Sequence, residues 1–131
     1  MPAPGLAQAP VEAAAVVDRF HDALRRGDGK AALVLLADDA VIYESGEAEL
    51  SKAEYEAAHL AADMEYSAAV KEIVTRRTGG GGAGSAWVGS EGRTSGTFQG
   101  RKIDRSTAET MILNPTTGGW KIIHIHWSSG R

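Results

Sequence analysis

Three features of the chain predict an α+β fold. Helical periodicity is confined to the first half, four long strand-like segments follow Ser67 with turn-rich stretches between them, and helix does not return afterwards. Helices followed by an antiparallel meander bury their apolar faces most simply if the sheet curls around the helices. The expectation is therefore α+β architecture, three N-terminal helices followed by a long antiparallel meander curling around them.

Taken in order, the start MPAPGLAQAP reads as a flexible leader covering residues 1–10, and residues 11–131 as a single domain. The leader has neither a basic nor an apolar region, yet its run Ala7-Gln8-Ala9 is of the A-x-A kind that ends a secretory signal. Two readings of location stay open: a cytoplasmic protein by default, or a periplasmic or secreted one if a signal has been trimmed. Val16, Val17, Phe20, Ala23 and Leu24 recur at helical spacing and Gly27 follows as a stop, which gives the first helix. Asp28 can cap a second, shorter helix through AALVLLADD, and VIYES then carries β-branched and aromatic residues into a short strand that turns at Gly46. Ser51-Lys52-Ala53-Glu54 fits a capping box, so a third helix runs from Tyr55 to Met64.

The strands after Ser67 are AAVKEIVTRR, AGSAWVGSEGRTSGTF, KIDRSTAETMIL and GWKIIHIHWS, separated by GGGGAG, QGR and NPTTGG. Gly79, Gly81 and Gly84 match G-x-G-x-x-G in form. A dinucleotide fingerprint needs a strand before it and a helix after it, whereas these glycines stand between two strands and read as a hairpin turn.

Composition excludes several function classes. The chain has 131 residues, 43% hydrophobic and 24% charged, enough apolar surface for a packed core. The net charge is -3 and the basic pairs Arg25-Arg26, Arg76-Arg77 and Arg101-Lys102 are scattered, so nucleic acid is not expected as a partner. Cysteine is absent, which removes thiol catalysis and thiolate metal sites. No run reaches the ~18 consecutive apolar residues of a membrane span, so no membrane partner is expected.

The runs AVVDRFHDALRRGDGKAALVLLADDAVIYES, GRKIDRSTAETMIL and GGWKIIHIHWSSG together resemble the nuclear transport factor 2-like superfamily, including its SnoaL-like and ketosteroid isomerase-like members. The resemblance covers nearly the whole chain after Pro10. It implies a cone-shaped α+β fold, three N-terminal helices enclosed by a strongly curved, mostly antiparallel sheet with a pocket between them, and it leaves activity open, because the superfamily hosts isomerases, cyclases, dehydratases and binding domains. Set against ketosteroid isomerase, the general-base aspartate falls on Glu44 and the hydrogen-bond-donor carboxylic acid on Glu109. The oxyanion-hole tyrosine falls on Phe20, which has no hydroxyl. The last strand is also similar to the calcium/calmodulin-dependent kinase association domain, whose pocket arginines fall on Glu91 and Met111. A carboxylate pocket of that kind is not implied, but assembly through the sheet is.

The candidate catalytic residues are Glu44, Glu109 and His59. Glu44 ends a strand beside the implied pocket, where desolvation would raise its pKa toward neutrality; the bland alternative is a solvated turn carboxylate. Glu109 shares a strand face with Arg105, Thr107 and Met111, and could instead pair with Arg105 or Arg93. Tyr55, His59 and Asp63 follow one another at four-residue spacing on one helix face, so His59 could act as acid or base opposite Glu44, or be a structural histidine held by Tyr55 or Asp63. Tyr43, Tyr55, Asp63, Arg105, Met111, Ile125 and Trp127 complete the expected ligand-binding set.

His124 and His126 raise a separate question. Strict alternation along the last strand puts them on one side with Trp120 and Ile122, opposite Ile123, Ile125 and Trp127. The isomerase resemblance turns the isoleucine side inward, so Trp120, Ile122, His124 and His126 are expected in a sheet-to-sheet interface of a homodimer. Two imidazoles roughly 7 Å apart could share a metal ion. No third ligand motif accompanies them, and no metal or other cofactor is expected. The functional expectation is a dimeric small-molecule-binding domain with an unidentified ligand. The alternative is an enzyme that transfers protons through a carboxylate on a small apolar substrate, as an isomerase, cyclase or dehydratase does.

Overall fold

The computed structural model describes residues 8–130. Helix α1 (Val11–Arg25) is followed by a single-turn α2 (Gly29–Leu33), the hairpin β1 (Leu36–Glu44) and β2 (Glu47–Glu49), helices α3 (Lys52–Ala58) and α4 (Leu60–Ala69), and then β3 (Val70–Gly81), β4 (Ala86–Phe98), β5 (Arg101–Thr116) and β6 (Gly119–Gly130). The six strands form one sheet in the order β2-β1-β6-β5-β4-β3. Among the described residues only the β1–β6 pairing is parallel. The α+β architecture and the curved, open, mostly antiparallel sheet are as the sequence predicts. Most of the expected leader lies outside the described residues, but Ala9 packs against the core beside Gly79.

Helix α1 presents Ala13, Val16, Val17, Phe20, Ala23 and Leu24 to the sheet, all buried, as the periodicity requires. Asp28 caps α2, its carboxylate accepting from the Ala31 amide at 3.1 Å. The Ser51–Glu54 capping box forms from one side: Ser51 Oγ accepts from the Glu54 amide at 3.1 Å, while the Glu54 carboxylate accepts from the Leu50 amide.

Four local expectations are corrected. The second helix does not run through AALVLLADD: it stops at Leu33, and Leu36 to Asp39 belong to β1. Pairing overrides local preference there, since Leu36 stands opposite Ile122 and the Leu35 carbonyl accepts from the Ile122 amide at 2.8 Å. The third helix is broken at His59, whose backbone (φ -132°) ends α3 and begins α4. The glycine run is strand as far as Gly81, and the turn is confined to residues 82–85. There Trp87 lies across the neighbouring strand, so that a Cβ on Gly80 would sit 2.7 Å from its indole nitrogen.

The fourth correction concerns β6. Ile123 is bulged, so Ile112 pairs with His124 while Leu113 pairs with Ile122. The extra residue breaks the alternation, and Ile122 and Ile125 both point inward, each fully buried. Ile122 is therefore a core residue, not an interface residue. Trp120, on the same side, packs against that core.

Candidate active site

The sheet registers place one row of inward side chains across five strands. Glu44 of β1 stands opposite Trp127 of β6, Trp127 opposite Glu109 of β5, Glu109 opposite Ser90 of β4, and Ser90 opposite Arg77 of β3. The adjoining row, toward the closed end, is Ile42, Ile125, Met111, Val88 and Gly79. The boundary between apolar core and polar cavity thus falls between two consecutive rows, because inward positions recur every second residue on each strand. The polar row floors a cavity of about 800 Å³, bounded above by α1 and α4.

Glu44, His59, Asp63, Arg105, Glu109 and Trp127, all expected at the site, line this cavity. Tyr55, Met111 and Ile125 do not: each is fully buried in the layer beneath it. Tyr43 is on the outer face of the sheet, 43% exposed, with its ring 5.0 Å from that of His124 and 5.8 Å from that of His126. Alternation explains this, since Tyr43 neighbours inward-facing Ile42 and Glu44.

Glu109 is nine-tenths buried and is paired with neither Arg105 nor Arg93. His21 Nε2 and Trp127 Nε1 both donate to its Oε1, each at 2.6 Å. Burial alone would lower the pKa of His21, but the carboxylates of Glu109 and Glu72, the latter 4.0 Å from Nδ1, outweigh it and hold His21 above its ordinary value. The imidazole, set between two carboxylates, therefore favours its protonated form more than a free histidine does.

His21 was not among the expected site residues. The signal was legible, however: Asp18, His21 and Arg25, at spacings of three and four, form a polar stripe beside the buried stripe of α1, and all three line the cavity. Phe20, where the resemblance places a tyrosine, is buried and stacks on Trp127 with ring centroids 6.4 Å apart.

At the other end of the row, the Glu44 carboxyl is pushed up to about 6, chiefly by burial and then by the Asp63 charge. Asp63 is itself raised by burial, although it accepts a 2.7 Å hydrogen bond from the Tyr55 hydroxyl. That bond reaches across the helix break. His59 is held neither by Tyr55 nor by Asp63: its Nε2 lies 3.2 Å from Glu47 and its Nδ1 2.9 Å from Glu49, the second contact too poorly aligned to count as a hydrogen bond. Among the described residues no three His, Cys, Asp or Glu side chains gather to hold a metal ion, and no helix is long and apolar enough to cross a membrane.

The SnoaL-like domain model matches residues 13–130. A candidate ketosteroid isomerase from Shewanella frigidimarina NCIMB 400 is 35% identical and superposes with a TM-score of 0.85, over 89% of this chain and 94% of that one. A candidate calcium/calmodulin-dependent protein kinase II association domain from Xanthomonas campestris shares the fold at 24% identity, with a TM-score of 0.77 over 99% and 97% of the two chains. A candidate dehydratase of the nuclear transport factor 2-like family from Streptomyces avermitilis does so at 17% identity, with a TM-score of 0.77 over 92% and 94%. No curated protein matches. By a family match that runs almost end to end, and by its likeness to the Shewanella protein, this chain belongs to the SnoaL-like domain family, on the nuclear transport factor 2-like fold.

Proposed function

We propose that the cavity binds a small, partly apolar organic molecule and that Glu44 moves a proton on it, as in an isomerase or dehydratase. The observation that carries this reading is the row Glu44–Trp127–Glu109. It sets a carboxyl group with no partner among the described residues across an indole from one hydrogen-bonded to a histidine. A carboxyl near 6 is a base of useful strength at neutral pH. His21, whose protonated form Glu109 and Glu72 favour, supplies in that form a positive group toward which negative charge can develop on a substrate oxygen. It stands one residue after Phe20 and so takes over the polar role of the absent tyrosine. The relative named as a candidate ketosteroid isomerase suggests the first probes: β,γ-unsaturated ketosteroids and smaller β,γ-enones. Isomerisation to the conjugated enone is followed by absorbance. Glu44→Gln lowers kcat by roughly 10²–10⁴-fold while binding is kept, since shape and hydrogen-bonding capacity survive. Equal turnover in the variant removes Glu44 from the mechanism.

A second reading, binding without turnover, is favoured by the double occupation of Glu109 Oε1, which makes Glu109 an acceptor here rather than a donor acid. A ligand found by mass spectrometry in the purified protein, with no isomerisation or solvent deuterium uptake on any enone, would select it.

The outer sheet face supports a homodimer. Val41, His124, Ile112 and Trp87 form one outward row, with Tyr43 and His126 beside it. Tyr43 and Trp87 are each 43% exposed, an aromatic band suited to a second copy of this chain. Likeness in fold to an association domain points the same way.

A further inference from the structure

Two rows beyond Glu109, β5 carries Arg105, which stands directly opposite Thr94 of β4. Among the described residues three arginines line the cavity. Arg77 is tied to Asp18 at 2.8 Å and to Ser90 at 3.1 Å, and Arg25 to Asp22 at 3.4 Å. Arg105 alone of the three has no carboxylate or hydrogen-bond partner among the described residues. Beside it, Thr94 is 4% exposed and Ser67 of α4 is 7% exposed; both line the cavity, and neither hydroxyl has a hydrogen-bond partner among the described residues. The hydroxyls themselves are not sealed off: among the described residues only His59 Nδ1 is a buried side-chain polar atom without a partner, so both hydroxyls open on the cavity, where a ligand can reach them.

The acidic side chains of the lining are committed elsewhere. Asp18 faces Arg77, Glu91 faces Arg76, and Glu109 and Glu72 face His21. Glu44 and Asp63 belong to the far end, and Glu65 is exposed on α4. Glu72 shares the row of Thr94 and Arg105, opposite Thr94 on β3.

Resting on the reading that the cavity takes a small organic molecule, we infer that the molecule is an amphipathic carboxylic acid whose carboxylate docks on Arg105 and the Thr94 hydroxyl. Its reactive end then lies at Glu44. The four residues from Arg105 to Glu109 span about 13 Å along the strand. Ile73, Val74, Tyr66 and Phe98, which line the stretch of cavity near Arg105, cover the apolar body. A guanidinium offers two parallel donors to a carboxylate and none of the acceptors an amine would need, so the subsite selects acid over amide or amine.

The test uses a matched pair, 4-(1-naphthyl)butanoate and its primary amide, titrated calorimetrically into the full chain at neutral pH. The acid binds at least ten-fold more tightly than the amide. Arg105→Gln abolishes that preference without changing amide affinity, and because the residue is exposed the variant folds as the parent does. Thr94→Val loses a few-fold in acid affinity and Thr94→Ser restores it. Equal affinities for the two probes in the parent, or a preference that survives Arg105→Gln, overturns the subsite and leaves the cavity reading standing. Failure of both probes to bind overturns the subsite and the cavity reading together.

Discussion

His21 on α1 and Glu109 on β5, 88 positions apart in sequence, meet at 2.6 Å in the cavity wall. Glu109 is the larger of the two carboxylate influences that hold the His21 pKa up, so Glu109→Gln lowers it. An NMR titration of the imidazole reads this directly, and an unmoved midpoint would refute the pairing. Glu109→Ala also strips the acceptor from Trp127 and costs about 1.5–3 kcal/mol in urea unfolding.

The raised groups set a pH dependence of stability. His21 is raised in the folded state, so its contribution is complete below the unfolded value of about 6.5 and is lost as pH rises through the folded one. Glu44 is a carboxyl raised from 4.5 to about 6, so the folded state favours its protonated form, and that preference also fades as pH rises through about 6. Both have the same sign. Urea midpoints therefore rise as pH falls from 8 to 5, and a flat or opposite profile contradicts the assignment.

Glu44→Gln follows from the same linkage. It removes the burdened carboxylate and stabilises the domain at pH 8 by about 1 kcal/mol after allowance for partial solvent screening, while it lowers turnover. The gain shrinks to less than half at pH 5 and vanishes only below the ordinary value of 4.5, where the folded and unfolded carboxyls are both protonated. Equal stability of parent and variant at pH 8 would show that the carboxyl is not desolvated.

Gly92 lies where β4 passes the irregular register of β3, and a Cβ there would collide with the backbone oxygen of Ile73. Gly92→Ala destabilises by about 1–3 kcal/mol, because a backbone atom cannot rotate out of the way as a side chain can. Gly100→Ala, with open space around its Cβ, serves as the strain-only comparison at positive φ.

The outer aromatic band predicts a dimer in solution. Light scattering at micromolar concentration gives twice the chain mass of 13.8 kDa, and replacing both Tyr43 and Trp87 by lysine gives the monomer with an unchanged circular dichroism spectrum. A monomeric parent would end the interface account.

The sequence by itself determined what local periodicity and capping decide. The buried stripe of α1, the Asp28 and Ser51 caps and the existence and order of the four strands after Ser67 are local matters of side-chain spacing and backbone satisfaction, and each is as the sequence predicts, although β3 runs on through the glycines to Gly81. Glu44, His59, Asp63, Arg105, Glu109 and Trp127 were recognisable as site candidates because strand parity, helix spacing and the family resemblance all pointed them toward one pocket.

What depends on contacts far apart in the chain was decided only by the tertiary structure. The one-residue bulge at Ile123 turned Ile122 into the core, because register is fixed by the partner strand and a single extra residue reverses parity. Parity also sends Tyr43 outward, but only the assembled sheet shows its outer face meeting His124 and His126 rather than the cavity. Leu36 joined β1 because Ile122 was waiting opposite it, against the helical preference of its own segment. Which carboxylate meets which imidazole, Glu109 with His21 and Glu49 with His59, follows from where the sheet curls over the helices. Coulomb attraction between side chains acts across space and leaves no periodic trace in sequence.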